Sequence, residues 1–146
     1  MPTRMCLHVT SSPDHARLPW LCVERIDCRR DRLSRTLGDG QEWVAYFGYP
    51  RAHEDDALRA VRAAVEMRDA LNQLNDEFER VWGVRILVRT GVNTGEVIAG
   101  DSAGGDPFVI SDAVNVAARL EQAAEPGQIL IGESTYRLVR DAVTAD

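Results

Sequence analysis

The sequence has few of the residues that build disulfide, metal or membrane structures. Its 146 residues include three cysteines and three histidines. Cys6, Cys22 and Cys28 form no Cys-x-x-Cys pair, which favours reduced thiols over a disulfide framework or a zinc site. No apolar run is long enough to span a bilayer, and residues 1–14 lack the apolar core of a signal peptide. We therefore expect a cytoplasmic protein that does not associate with membranes.

Two common catalytic signatures are absent or incomplete. There is no Gly-x-x-x-x-Gly-Lys phosphate loop. Residues Gly100–Gly104 spell the Gly-x-Ser-x-Gly of serine hydrolases, but that motif needs a helix after the serine and a histidine further along the chain. Here Gly105–Pro107 follows, and all three histidines lie upstream. The net charge of −6 argues against nucleic acid as a partner.

The chain divides into two parts by pattern. The length predicts one domain, and the apolar fraction of 45% and charged fraction of 27% are typical of globular proteins. In residues 1–31 the apolar residues follow neither a helical nor a strand period, and three prolines interrupt the segment. We interpret 1–31 as a poorly patterned, poorly packed segment and 32–146 as the domain.

Helices and strands are mixed along residues 32–146. Apolar residues at helical spacing, among them Leu58, Val61 and Val65, predict a helix over His53–Trp82 that ends at Gly83. Gly91–Gly95 is predicted to be a glycine-rich turn between two strands. The remaining predicted elements are strands at Leu33–Leu37, Glu42–Tyr49, Val84–Val92, Glu96–Ala99 and Gln128–Ile131, and helices at Asp112–Ala124 and Glu133–Arg140. This order predicts an α+β fold with a central, mainly antiparallel sheet and flanking helices.

Two sets of polar residues are candidates for chemistry. Asn115 and Arg119 lie four residues apart on a predicted helix, so they share one face about 40° apart. On local grounds alone an exposed polar pair is the commoner explanation. Asp39 lies between two glycines at a predicted hairpin tip, where a carboxylate can approach a hard cation. Plain turn chemistry explains Asp-Gly equally well.

Four segments, in the same order along the chain, resemble the catalytic domain of the class III nucleotide cyclases. Their sequences are most similar to those of the bacterial enzymes. The segments are Leu37–Gly40 with Ala45–Pro50, His53–Ala57, Arg89–Val97 and Asp112–Glu121. The resemblance implies a ferredoxin-like cyclase fold that converts a nucleoside triphosphate, ATP or GTP, into a cyclic nucleotide and pyrophosphate. We predict cyclic AMP in preference to cyclic GMP, although the residues themselves leave the base open.

The resemblance also implies roles for individual residues. Asn115 and Arg119 match the family's ribose-binding and phosphate-binding pair, and Asp39 matches its second metal aspartate, which binds Mg²⁺ or Mn²⁺. Arg35 stands where a base-reading Lys is usual, and Phe108 where Asp or Thr is common. Family active sites form between two chains, so we expect a homodimer or a heterodimer with another cyclase chain.

One departure from the family is large. Family members begin with a strand that carries a first metal aspartate two places after an aromatic or apolar residue. Asp14, Asp27 and Asp31 follow Ser12, Arg25 and Arg29 at that spacing. We therefore expect the first strand to be missing, as in a truncated or degenerate domain, and activity to be impaired in the chain alone. The alternatives are an inactive cyclase-homology module that dimerises or regulates, or a degenerate remnant.

Overall fold

A central sheet organises the chain. The computed structural model describes residues 3–11, 32–35, 42–48, 52–96, 98–101, 107–110 and 112–145. The strands are β1 (Thr3–Ser11), β2 (Arg32–Arg35), β3 (Glu42–Phe47), β4 (Val88–Glu96), β5 (Ile98–Asp101), β6 (Pro107–Ile110) and β7 (Ile129–Ile131). The helices are α1 (Asp56–Trp82), α2 (Asp112–Ala123) and α3 (Glu133–Val139).

Five strands pair in the order β2-β3-β1-β4-β7. All neighbours are antiparallel except β4 and β7, which are parallel. Strands β5 and β6 form a separate antiparallel pair. The predicted α+β fold with a mainly antiparallel sheet is confirmed.

The expectation that the first strand is missing is wrong. Strand β1 lies at the centre of the sheet, where Met5 pairs with Phe47 of β3 and Val9 pairs with Thr90 of β4. Met5, Leu7 and Val9 alternate with more polar residues, a strand period that the nearby prolines obscure. Residues 3–11 therefore form a strand that is paired on both edges, while residues 12–31 lie outside the described ranges. The acid remains absent, because β1 contains neither Asp nor Glu.

The long predicted helix is confirmed, and local hydrogen bonds set its ends. The Asp56 carboxylate accepts a hydrogen bond of 2.7 Å from the His53 backbone N–H, so the preceding residues form a turn and the helix begins three residues later than predicted. At the other end Gly83 adopts a left-handed φ of 64°, and its N–H donates to the Glu79 carbonyl. Glycine takes this conformation without the steric cost that a Cβ brings.

Small residues make the contact between α1 and the sheet. Of the predicted apolar stripe, Val61, Leu71 and Phe78 are buried, but Val81 is 55% exposed. Alanines that the stripe omitted fill the interface instead, and the buried ones are Ala57, Ala60, Ala63 and Ala64. Small side chains of this kind allow a helix to lie close to the strands on which it packs.

Helices cover both faces of the sheet. Ala45 and Phe47 pack in one core cluster with α1 and with Val139 of α3. Their neighbours Val44 and Tyr46 pack with Ala117 of α2 in a second cluster. Successive residues of a strand point to opposite faces, so α1 and α3 lie on one side of the sheet and α2 lies on the other.

A buried carboxylate fixes the passage from β3 into α1. Asp56 is 6% exposed, and its Oδ1 accepts a hydrogen bond of 2.8 Å from Arg59 Nη1. The Arg59 guanidinium also lies 5.8 Å from the centre of the Phe47 ring. Gly48 has a φ of 88°, and a Cβ there would lie 2.8 Å from Asp56 Oδ2. The hairpin that precedes α1 is thereby tied to the first turn of the helix.

Candidate active site

Helix α2 carries the predicted polar pair, and its opposite side is docked on β4. The helix begins at Asp112, an acid in the first turn, where the helix dipole favours negative charge. Its buried residues are Ala113, Ala117 and Glu121, spaced four apart as one side of a helix requires. This side faces the sheet, which leaves the other side of α2 to the surroundings.

Glycines of β4 allow the helix to touch the strand backbone. A Cβ on Gly91 would lie 2.1 Å from the Ala117 carbonyl oxygen and 2.6 Å from the Glu121 nitrogen. A Cβ on Gly95 would lie 2.6 Å from the Ala113 Cβ. Real Cβ atoms do not approach this closely, so only glycine fits at either position. The predicted turn at residues 91–95 is wrong: the chain continues as strand, and the glycines serve close packing.

Asn115 and Arg119 lie on the outward side of α2. Each is two residues from a docked alanine, a rotation of about 160° away from the sheet-facing line. Both residues are exposed, and neither side chain forms a hydrogen bond or an ion pair with another residue in the described part of the chain. The structure thus presents an amide and a guanidinium side by side on a rigid helix, free to bind something from outside.

The other predicted site residues lie on the strands or outside the described ranges. Arg35 is the last residue of β2 and pairs with Trp43 of β3. Phe108 lies in β6 opposite Gly100 of β5. Asp39 lies in the connection between β2 and β3, outside the described residues. Of the described residues, Glu42 at the start of β3 pairs with Thr10 near the end of β1.

Potential metal ligands do not cluster within the described ranges. No group of three or more His, Cys, Asp or Glu side chains comes together there. At the end of β1 that pairs with the start of β3 stand Thr10 and Ser11, and hydroxyls bind divalent cations far more weakly than carboxylates do. Strand β1 itself therefore supplies no carboxylate to this end of the sheet.

One polar residue of the site region was missed by sequence reasoning. Asn93 lies on β4 between Gly91 and Gly95 and is 7% exposed. Its Nδ2 donates a hydrogen bond of 3.3 Å to the Ala113 carbonyl at the start of α2. The sequence contained a pattern that could have identified Asn93, because residues 91, 93 and 95 share one face of a strand. The prediction of a turn at residues 91–95 obscured that pattern.

Comparisons with known proteins agree with this architecture. The family profile described as "Adenylate and Guanylate cyclase catalytic domain" matches residues 27–145. An adenylate cyclase of Mycobacterium tuberculosis is 32% identical over 111 residues, which cover 75% of this chain and 24% of the relative. A receptor-type guanylate cyclase of Caenorhabditis elegans is 33% identical over 114 residues, which cover 74% of this chain and 10% of the relative. The chain thus spans a quarter or less of these relatives.

A solved structure extends the agreement to the fold. The adenylyl cyclase CyaB from P. aeruginosa superposes with a TM-score of 0.81 at 25% identity, covering 97% of this chain and 82% of that one. No helix in the part of the chain that the structure describes is long and apolar enough to cross a bilayer. With the profile matching most of its length, the chain belongs to the family of adenylate and guanylate cyclase catalytic domains, of class III.

Proposed function

We propose that this chain is a cytoplasmic class III cyclase domain that supplies Asn115 and Arg119 to an active site shared with a second cyclase chain. The observation that carries the proposal is the exposed pair on the outward side of α2. A site formed within one chain would need these groups to face other residues of that chain. They face away from the sheet, which favours a substrate held between two chains.

The reaction joins the ribose 3′-oxygen to the α-phosphorus of a nucleoside triphosphate. The bond from that phosphorus to the bridging oxygen of the β-phosphate breaks, and pyrophosphate leaves. Negative charge accumulates on the phosphate oxygens as this happens. The planar guanidinium of Arg119 can donate two parallel hydrogen bonds to those oxygens. The Asn115 amide, one helical turn away, can orient the ribose so that its 3′-oxygen lies in line with the leaving group.

Divalent cations, Mg²⁺ or Mn²⁺, supply charge neutralisation and activation of the attacking oxygen when they are bound in two-metal sites. Asp39 is the residue of this chain that we propose as a ligand. The described residues do not complete such a site, because β1 carries no acid. We therefore assign no step of this chain's chemistry through a metal, and we propose that the second chain contributes the complete set of acids.

The choice of base rests on two further proposals. Arg35 would contact the purine where a lysine is usual, with a donor geometry that differs from that of lysine. Phe108 would stack against or pack beside the base. The similar sequences include both an adenylate cyclase and a guanylate cyclase, so the substrate class is a purine nucleoside triphosphate. We propose ATP, and thus cyclic AMP, as the first pair to test.

A second candidate function follows from the acid-free β1. The chain could pair with a cyclase and regulate it without contributing to the chemistry. The intact α2 surface distinguishes the two candidates. A purely regulatory module has no use for Arg119, whereas a contributing module does.

The test mixes this chain with an intact class III cyclase whose own matching Asn and Arg have been replaced. The expected result is that the mixture forms cyclic nucleotide, that Arg119→Ala lowers the restored activity by about 10²- to 10³-fold, and that Arg62→Ala leaves it unchanged. Arg62 is the matched control, since it is an exposed arginine on a helix that lies on the other face of the sheet. Dimers that form without any restored activity would reject the contributing role and favour the regulatory one.

A further inference from the structure

Asn93 occupies a position at which three elements meet. Its side chain points from β4 toward α2, since residues 91, 93 and 95 share one face of the strand. It is 7% exposed, and buried polar side chains need partners to offset the loss of hydration. Gly132, the residue that links β7 to α3, also approaches it: a Cβ on Gly132 would lie 2.2 Å from Asn93 Oδ1.

The amide of Asn93 links β4 to both α2 and α3. Nδ2 donates to the Ala113 carbonyl oxygen at 3.3 Å. Oδ1 lies 3.2 Å from Ser134 Oγ in the first turn of α3. That hydroxyl is also 2.8 Å from the Thr94 carbonyl oxygen, and its single proton can serve either acceptor. The Asn93 side chain thus connects β4 to the beginning of α2 and to the beginning of α3.

Ala113 and Ala117 also meet β4, at Gly95 and Gly91. Nonpolar contacts of this kind limit the distance of the helix from the strand, but they restrict a slide or a rotation less than a hydrogen bond does. A hydrogen bond to a backbone carbonyl has a preferred length and direction. The carbonyl it reaches is that of Ala113, two residues before Asn115, so it fixes the part of the helix that presents the polar pair.

We propose that Asn93 is a positioning residue that sets the axial and rotational placement of Asn115 and Arg119. The proposal rests on the proposed function for its effect on catalysis. Displacing a catalytic group by about 1 Å can cost about 10²-fold in rate. Loss of the Asn93 amide therefore lowers turnover without removing any group that touches the substrate.

The test compares two buried asparagines. Asn75 is 1% exposed, and its amide bonds the backbone N–H and carbonyl of Ile86 at 2.7 Å and 2.8 Å. It lies on α1, on the opposite face of the sheet from α2. Asn93→Leu and Asn75→Leu each replace a buried amide by an apolar group of similar size. A loss of turnover that follows from general destabilisation is expected in both variants. A loss of turnover that follows from a misplaced α2 is expected in Asn93→Leu alone.

A third variant moves the amide without deleting it. Gly132 has a φ of −69°, a conformation that alanine adopts without strain. In Gly132→Ala the added methyl group collides with Asn93 Oδ1, whereas the next side chain it meets, that of Leu120, is at an ordinary contact distance of 3.5 Å. We expect it to reproduce part of the Asn93→Leu effect. Wild-type turnover in Gly132→Ala would argue against the positioning role.

Two readouts separate this inference from the proposed function. In the mixed cyclase assay, at a temperature at which all variants are folded, Asn93→Leu should lower kcat by about 10- to 100-fold and Asn75→Leu by less than about twofold. In an Arg119→Ala background, Asn93→Leu should lower kcat by a smaller factor than in the wild-type chain, because the part of its effect that acts through Arg119 is already lost. Equal losses in Asn93→Leu and Asn75→Leu would overturn the inference while leaving the proposed function intact.

Amide hydrogen exchange needs no catalytic activity. Asn93→Leu should accelerate exchange in residues 113–121 at least about tenfold, and Asn75→Leu should leave those amides unchanged. If the wild-type chain restores no activity in the mixture, the proposed function is rejected. The exchange data then test by themselves whether Asn93 positions α2. Unchanged exchange of α2 in Asn93→Leu would then overturn the inference as well.

Discussion

The two central strands of the sheet, β4 and β1, differ in the polar residues that they and the neighbouring helix present. On the side of β4, two glycines, a buried asparagine and an alanine-lined helix hold an amide and a guanidinium outward on a rigid surface. On the side of β1, the strand is present and paired on both edges, yet it carries no acid. Both strands are therefore in place, but β1 offers no acid, whereas the helix beside β4 presents the polar pair that we propose for the site.

The difference shows that backbone pairing and site chemistry are specified separately. Strand β1 needs only main-chain hydrogen bonds and alternating apolar residues, so losing a carboxylate leaves it in place. Helix α2 depends on side chains of a particular size, because Gly91 and Gly95 cannot accommodate a Cβ. A domain built this way can change a polar residue of β1 without changing its shape.

The largest expected effect is on activity and comes from the outward face. Arg119→Ala should lower the turnover of a mixed dimer by about 10²- to 10³-fold, because it removes a donor aimed at developing charge. The free energy of unfolding should change by less than about 0.5 kcal/mol, since the side chain is exposed and surface substitutions have small effects. Steady-state kinetics and urea unfolding measure the two quantities. A stability loss as large as the activity loss would contradict the separation of function from fold.

The next largest effect is on stability and comes from the side of α2 that packs on β4. Gly91→Ala should lower the free energy of unfolding by about 3 kcal/mol, because the new methyl group meets backbone atoms of α2 that cannot rotate away. Gly95→Ala should cost about 1 kcal/mol, because the obstacle is the Cβ of Ala113. Chemical denaturation of both variants gives the comparison. Equal costs would mean that α2 moves as freely at one end as at the other.

A double variant sharpens that comparison. Ala113→Gly removes the methyl group that Gly95→Ala would meet, so the double variant should be more stable than the sum of the two single changes predicts, by about 0.5 kcal/mol or more. Ala113→Gly combined with Gly91→Ala, whose obstacle is elsewhere, should show simple addition. If the changes in the free energy of unfolding were additive in both pairs, a direct contact between the side chains at residues 95 and 113 would be rejected.

A smaller effect is expected at the junction of β3 and α1. Asp56→Ala removes the acceptor for the His53 N–H and for Arg59. It should lower the free energy of unfolding by about 1 to 2 kcal/mol. Glu54→Ala is the control, as an exposed acid just before the same helix. Thermal unfolding checks both variants, and an equal fall in Tm would show that Asp56 acts only through its charge.

Much of the fold was predictable because helical and strand periods are long and regular. The sequence indicated α1, α2 and the antiparallel β2–β3 pair, with ends displaced by a few residues. The turn assigned to residues 91–95 was wrong, because glycine signals both turns and close packing. Only the structure shows that α2 lies against that strand. Strand β1 was missed because the alternation of Met5, Leu7 and Val9 with more polar residues is short and prolines lie on both sides of it.

The candidate site was predictable in part for a different reason. Asn115 and Arg119 were found from their spacing and from the family resemblance. Asn93 was not found, since its partners Ala113 and Ser134 are 20 and 41 residues away in the chain and no local pattern connects them. The roles of Arg35, Phe108 and Asp39 remain predictions, and variants at these positions in a mixed dimer would test them.

The most direct measurement of the central claim is cyclic nucleotide formation by the chain alone and by its mixture with a cyclase that keeps its acids but lacks its own Asn and Arg. Both are assayed with ATP and with GTP, in Mg²⁺ and in Mn²⁺. The account predicts that the chain alone stays near background, because β1 supplies no carboxylate, and that the mixture is active. Robust turnover by the chain alone, equal to that of the mixture, would contradict it.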